Sequence, residues 1–304
     1  MECWRRFAQC AGRFAASLCG RPAGRDYSSE REGLLNDEQI RLSPLEEGLQ
    51  LQDSDRQYTL VMRHGQRIDE VDDEWLERAE RPWDPHLTEK GRIQAASSAA
   101  EVRDFNIDYI ITSPFHRCLE TSSQILVGLG MNLDKLVVDC EMCEIINPRT
   151  MYFGGGMFPS GNPETWMWNG TPIEEAVQEF INSEPSLEGV SGKPKILGTH
   201  MPEHIETVAE AIKRYSLAIQ RLSDLYCDSN ILIVTHGEAL RASVVKIAPK
   251  LSVYETKHTS FTTANRKPIH STKNSKRNAW RRVRDAAQEW ELVTENGTTG
   301  VSWL

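Results

Sequence analysis

The chain has 304 residues, 39% apolar and 26% charged, with 35 Lys and Arg against 44 Asp and Glu for a net charge of −9. This length fits one large domain or two small ones and can bury a sizeable core, which excludes wholesale disorder. The acidic balance argues against a general nucleic-acid binder. Seven cysteines without framework spacing argue against a disulfide-stapled secreted protein, and the longest aliphatic run, Ile231 to Val234, is too short to cross a membrane.

Residues 1–25 carry Arg5, Arg6, Arg13, Arg21 and Arg25 against one acid, Glu2. Trp4, Phe7, Ala11, Phe14 and Leu18 share one narrow helical arc, with Arg5, Arg6 and Arg13 opposite. This is a basic amphipathic helix, as in mitochondrial presequences or interfacial membrane anchors. The stretch Arg25 to Ser29 resembles a presequence cleavage context. Cys3, Cys10 and Cys19 offer palmitoylation as an alternative, and Glu30 with Leu34-Leu35 resembles a dileucine sorting signal. The expected location is mitochondrial, with a cytosolic or peripherally membrane-associated protein as the alternative. Residues 26–56 hold nine acids against three arginines and read as a solvated acidic linker.

From Tyr58 the pattern changes. Strands are predicted at Tyr58–Arg63, Tyr109–Thr112, Lys135–Asp139 and Asn230–Thr235. Helices are predicted at Thr88–Phe105 with Thr88 as cap, at His116–Leu129 closed near Gly128 or Gly130, at Pro202–Tyr226 and at Glu238–Ile247. Residues 147–200, rich in Gly, Pro and aromatics, read as a cap insertion with a short helix at Ile173–Phe180. Strands alternating with helices give an α/β fold, a three-layer α/β/α sandwich around a mostly parallel sheet spanning residues 57–304.

Two of these strands end in the same way, in Arg63-His64-Gly65 and in His236-Gly237. Ligands of open α/β sheets bind beyond the carboxyl ends of strands, so the two histidines should face one crevice. The second strand ends at Ser113-Pro114 with Arg117 on the next helical turn, and Glu141 and Glu144 follow the third. Arginine forks match phosphate oxygens, a histidine among them can be a nucleophile, and a carboxylic acid can protonate a leaving alkoxide.

The stretches Leu60 to Arg67 (LVMRHGQR), Leu87 to Ala95 (LTEKGRIQA), Ser113 to Thr121 (SPFHRCLET) and Val234 to Glu238 (VTHGE) resemble, in order and spacing, the histidine phosphatase or phosphoglycerate-mutase-like superfamily. Within it, Arg-His-Gly-x-Arg and Cys143-Glu144-Ile145-Ile146-Asn147 look like the branch with plant phosphoglycerate-mutase-like proteins and the Sts-type and ecdysteroid-phosphate phosphatases. The resemblance implies that His64 attacks phosphorus and becomes phosphohistidine. Arg63, Arg67, Arg117 and His236 would hold the phosphoryl oxygens, and Glu144 would be the proton donor, with Glu141 as competitor. It implies no metal and no organic cofactor, and a small-molecule or protein phosphomonoester as substrate. Gln66-Arg67 in place of Glu-Ser, and the lack of Arg-His-Tyr-Gly, place a mutase below a phosphatase. A catalytically weak phospho-ligand binding protein is the third reading.

Other features have plainer readings. His116 reads as a surface residue. His200 and His204 lie four apart, but Pro202 between them and the lack of a third ligand argue against a metal site. Cys140 and Cys143 read as packed thiols. Tyr152, Phe153, Phe158, Trp166 and Trp168 could stack on a leaving group or form the insertion's own core. Residues 266–284 carry eight basic residues and no acid and read as a solvated basic loop, with anionic lipid or a phosphorylated partner as the alternative.

Overall fold

The structure, a computed structural model, describes residues 56–151, 159, 163–202, 205–267 and 290–304. The N-terminal segment 1–25, the acidic linker up to residue 55, His204, the aromatic residues Tyr152, Phe153 and Phe158, and the basic loop from residue 268 lie outside the described residues.

In chain order the elements are β1 (Gln57–Arg63), α1 (Trp75–Arg78), α2 (Glu89–Val102), β2 (Tyr109–Thr112), α3 (His116–Gly128), β3 (Leu136–Asp139), α4 (Pro163–Trp166), α5 (Ile173–Ser183), β4 (Lys195–Gly198), α6 (Val208–Leu225), β5 (Ile231–Thr235), α7 (Gly237–Ile247), β6 (Val253–Thr256), β7 (Phe261–Arg266), β8 (Glu291–Leu292) and β9 (Val301–Trp303). The main sheet has the order β4-β3-β2-β5-β1-β7-β8. Strands β4, β3, β2, β5 and β1 run parallel, and β7 and β8 add antiparallel neighbours at one side. Strands β6 and β9 form a separate antiparallel pair.

The sequence puts apolar side chains on both faces of the central strands, as a sheet covered on both sides requires. Leu60, Met62, Ile110, Val138, Leu232 and Val234 face the layer of α2 and α3. Their neighbours Val61, Ile111, Val137, Ile231 and Ile233 face α6 and α7. Each such side chain contributes about 1.5–3 kcal/mol by leaving water, so the alternation fixes the register of every central strand. The fold is the expected three-layer α/β/α sandwich.

Local chemistry sets the helix ends. The Thr88 hydroxyl accepts the Gly91 N–H at 2.9 Å, capping α2 as predicted. Helix α3 closes before Gly130, whose φ of +69° suits glycine. The helix predicted from Pro202 starts instead at Val208. There Thr207 and Glu210 form a capping box that ends the preceding extended chain.

The C-terminal strands β6 to β9 were not legible as strands. The segment 147–200 is also not wholly a cap, because β4 within it pairs parallel with β3 at the sheet edge. Arg266 departs from the basic-loop reading as well. It ends β7 with its side chain fully buried, donating to Gln57 Oε1 at 2.7 Å and to the Ser223 carbonyl at 2.8 Å. Trp168 packs in the core and Trp166 against it, 6.1 Å edge-on from Trp83, so both belong to the packing of the molecule.

Candidate active site

Strand register brings the site together. Arg63 on β1 pairs with Thr235 on β5, and the His64 N–H donates to the Thr235 carbonyl at 3.0 Å. The next residues, His64 and His236, therefore leave the sheet side by side, with ring centroids 5.6 Å apart. On the other side of β5, Thr112 pairs with Val234, which sets Ser113 beside His236. Ser113 Oγ lies 2.9 Å from His236 Nε2. The turn Cys140–Met142 after β3 then carries Glu144 into the same place.

Glycine permits the closure of the first motif. A Cβ on Gly65 would lie 2.5 Å from the Gly91 carbonyl oxygen, and one on Gly91 would overlap the carbonyl of Gln66. The loop after β1 and the start of α2 meet backbone to backbone, which only glycine at both positions allows.

His64 is buried, and its Nδ1 lies 2.7 Å from the Gly65 carbonyl. A carbonyl only accepts, so Nδ1 carries the proton and Nε2 the lone pair. Burial and the neighbouring Arg117 push the imidazole well below its ordinary range, which keeps it neutral. Thr259, a β-branched residue at φ +55°, donates its N–H to the His64 carbonyl at 3.3 Å, a strained contact of the kind found at functional sites.

Arg117 is almost wholly buried. Its Nη2 lies 3.2 Å from Glu144 Oε2 and 3.3 Å from His236 Nδ1. Its Nε and Nη1 have no hydrogen-bond partner among the described residues; Asp84 Oδ1 stands 3.9 Å from Nη1. His236 sits with Nδ1 3.2 Å from Glu144, and burial lowers its pKa to about 4. Burial alone would raise the Glu144 carboxyl, but His236, Arg117 and the Ile145 N–H hold it well below the usual carboxylate range.

Arg63 donates from Nη1 to the Thr256 carbonyl at 2.7 Å, with Glu70 3.6 Å from its Nη2. Arg67 meets the same Glu70 as Arg63: its Nε pairs with Asp69 at 3.0 Å and with Glu70 at 3.5 Å. Glu141 is excluded from the pocket, because its carboxylate pairs with Arg221 at 2.7 Å on the α6 side. His116 is not a free surface group. Its ring packs edge-on to Phe180 at 5.3 Å and its N–H donates to Asp84 at 2.8 Å. Cys140 and Cys143 are buried thiols. Among the described residues no group of three potential metal ligands is present.

Sequence reasoning missed Asp84, Ser113 as a partner of His236, and the Glu70–His258 contact of 2.8 Å beside the arginines. It also missed the clamp that holds the Glu144 turn. Tyr215 Oη donates to the Cys143 carbonyl at 2.6 Å, and Arg214 Nη1 donates to the same carbonyl at 3.1 Å. Glu206 holds that arginine at 2.8 Å. Only the position of Tyr215 on the apolar stripe of α6 was visible in sequence. Its hydroxyl partner comes from a turn 72 residues away.

The profile of the histidine phosphatase superfamily (branch 1) matches residues 59–145 and 168–280. The chain therefore belongs to the histidine phosphatase superfamily. A comparison with curated protein sequences finds no relative. Among solved structures, ecdysone phosphate phosphatase from Bombyx mori in complex with tungstate is similar, with TM-score 0.53 and 18% identity over 79% of this chain and 92% of that one. A mycobacterial glucosyl-3-phosphoglycerate phosphatase matches with TM-score 0.44 and 16% identity, covering 79% of this chain and 98% of that one. A phosphoglycerate mutase from Bacillus anthracis matches with TM-score 0.44 and 17% identity, covering 71% and 92%. The likeness to the insect protein establishes the shared fold.

Proposed function

We propose that this chain is a phosphomonoesterase that works through a phosphohistidine on His64 and needs no metal ion. The observation that carries this reading is the pairing of a neutral His64, its Nδ1 proton committed to Gly65, with a buried Arg117 whose Nε and Nη1 make no hydrogen bond among the described residues, Asp84 standing 3.9 Å from Nη1. A phosphoryl group seated on those nitrogens takes up the buried donor capacity.

His64 Nε2 attacks phosphorus as the P–O bond to the leaving group breaks, and Glu144, protonated in the substrate complex, gives its proton to the departing oxygen. Water then attacks the phosphoramidate while the Glu144 carboxylate takes its proton, which frees His64 and inorganic phosphate. Arg63, Arg117 and His236 offset charge on the transferring oxygens, with Arg67 supporting from the rim. The charge that a metal would otherwise supply comes from arginines, so turnover should persist in EDTA.

Release of phosphate from p-nitrophenyl phosphate in EDTA, compared between wild type and His64→Ala, tests the reading. The variant should lose at least about 10³-fold in kcat, and acid-labile, alkali-stable phosphate should appear on the wild type alone. Full activity in the variant rejects the nucleophile. Phosphate transferred to a second acceptor instead of water would favour a mutase, and tight phosphate binding without turnover would favour a binding protein.

A further inference from the structure

Ser113, His236 and Glu144 form a buried line of polar groups. Ser113 Oγ lies 2.9 Å from His236 Nε2, and His236 Nδ1 lies 3.2 Å from Glu144 Oε2. The line continues past both ends. The Phe115 N–H donates to Ser113 Oγ at 3.4 Å, and Arg117 Nη2 stands 3.2 Å from Glu144 Oε2 and 3.3 Å from His236 Nδ1. Strand register fixes the serine here, because the Ser113 N–H donates to the Val234 carbonyl at 3.0 Å. A hydroxyl can turn between giving and accepting a hydrogen bond at one place, which a fixed N–H or carbonyl cannot.

Two arrangements of protons satisfy these contacts, and they differ by one proton. With Glu144 ionised, His236 carries its proton on Nδ1 and donates it to Glu144, while Ser113 donates to the lone pair of Nε2. With one proton more, Nε2 is protonated and donates to Ser113 Oγ, and the Nδ1 proton has passed to Glu144. The bare Nδ1 then accepts from Arg117 Nη2. Burial lowers the His236 pKa to about 4, so the second proton rests on Glu144 rather than on a doubly protonated imidazole. Each arrangement needs the serine oxygen, once as donor and once as acceptor.

The surroundings offer Nε2 no equal substitute. The Cys118 thiol, 3.8 Å from Nε2, points its own proton at the Thr235 carbonyl at 3.6 Å, and sulfur is a weak acceptor. Arg117 on α3 and Arg214 on α6 act on the imidazole through their charge and carry no acceptor. The His64 ring lies edge-on at 5.6 Å, too far for a hydrogen bond.

Resting on the phosphatase reading above, we infer that Ser113 is a positioning residue that sets the tautomer of His236: by accepting from Nε2 it lets Glu144 hold the proton destined for the leaving group. A phosphoryl dianion drives the change, because negative charge beside Glu144 favours the protonated acid. The proton enters from solvent as the dianion binds and departs on the alcohol.

Two readouts that need no turnover test this, with sulfate as the dianion. Nitrogen NMR of isotope-labelled histidine in the full chain, with the His236 signals identified by their loss in His236→Asn, should show Nδ1–H without sulfate and Nε2–H with it. Calorimetry in buffers of different ionisation enthalpy should give uptake of about one proton by wild type, and less than about half of that by Ser113→Ala. His236 of Ser113→Ala should keep the Nδ1–H tautomer with sulfate bound. Ser113→Thr, which returns the hydroxyl, should restore both signals. In turnover, Ser113→Ala should lose roughly tenfold in kcat for phenyl phosphate and stay within about twofold for p-nitrophenyl phosphate, whose leaving group needs little protonation.

A wild-type His236 that keeps one tautomer with and without sulfate overturns the inference. So does a Ser113→Ala protein with wild-type proton uptake, or with equal losses on the two esters. The wild-type spectra decide even if the serine variants fail to fold. If wild type turns over neither ester, the phosphatase reading fails by itself, and the tautomer and the linked proton still decide the role of Ser113.

Discussion

Glu144 shows how one residue's protonation must follow the substrate. Arg117 and His236 favour its ionised form, yet a proton donor must arrive at the leaving oxygen carrying its proton. A phosphoryl dianion resolves the conflict. It claims the Arg117 nitrogens and places negative charge beside the carboxylate, and both effects raise the proton affinity of Glu144. Binding of a dianion should therefore take up a proton. Sulfate is a suitable probe because it stays a dianion across the working pH range. Calorimetry in buffers of different ionisation enthalpy should show proton uptake, and affinity should rise as pH falls. Glu144→Gln should abolish the uptake, whereas Glu141→Gln should retain it, since Glu141 is tied to Arg221 outside the pocket. A wild type with no linked proton would remove Glu144 from the role of acid. At this scale the sequence was informative where a residue adjoins a strand end, as with His64, Arg63 and His236. For Arg67 the sequence left two partners open, phosphate and the adjacent acids, and the structure shows it against Asp69 and Glu70, the latter shared with Arg63. Asp84 was invisible because it is one acid among many and gains its meaning only from the distant backbone of His116 and the guanidinium of Arg117.

At the level of elements, helix α6 does more than cover the sheet. Its Tyr215 and Arg214 fix the carbonyl of Cys143, the residue before Glu144, so the helix sets where the acid stands. Tyr215 is therefore a positioning residue. Tyr215→Phe removes one buried hydrogen bond, worth about 1 kcal/mol, and keeps the ring. The loss should be selective: roughly five-fold in kcat for phenyl phosphate, whose leaving group needs a proton, and little for p-nitrophenyl phosphate. Equal losses on both substrates, or a loss confined to thermal stability, would indicate a purely structural hydroxyl. The elements that position this chemistry were legible for a physical reason. Strands β1, β2, β3 and β5 are short apolar runs buried on both faces, and they announce themselves by composition. Strand β7 reads Phe-Thr-Thr-Ala-Asn-Arg, and its burial rests on hydroxyl and amide partners such as Ser243 with Thr262 at 2.7 Å, which no hydrophobic pattern reveals. The start of α6 was misjudged because its apolar spacing extends upstream of the Thr207 cap that sets it.

For the whole molecule, the catalytic unit has its own beginning. Strand β1 starts at Gln57, flanked by β5 and β7, and Arg56 just before it donates to Asn265 at 2.8 Å and pairs with Glu291 at 3.0 Å. Among the described residues, those that build the sheet and the candidate site lie from position 56 onward, and the superfamily match begins at 59. Removing residues 1–55 should leave the melting temperature and turnover of p-nitrophenyl phosphate nearly unchanged. We propose that this segment serves as an address. Its apolar arc and opposing arginines should make residues 1–25 helical only against a membrane or an import receptor, because so short a segment is marginal as a helix in water. A reporter fused to residues 1–35 should reach mitochondria and be shortened near Tyr27. Replacing Arg5, Arg6 and Arg13 with Glu should stop the import, since it reverses the charge of the polar face. Attachment to membranes that depends on Cys3 and Cys10, without shortening, would reject import in favour of an acylated anchor. A soluble cytosolic reporter would reject both. The two experiments are independent, so loss of turnover on truncation would show that the first 55 residues serve the catalytic unit as well.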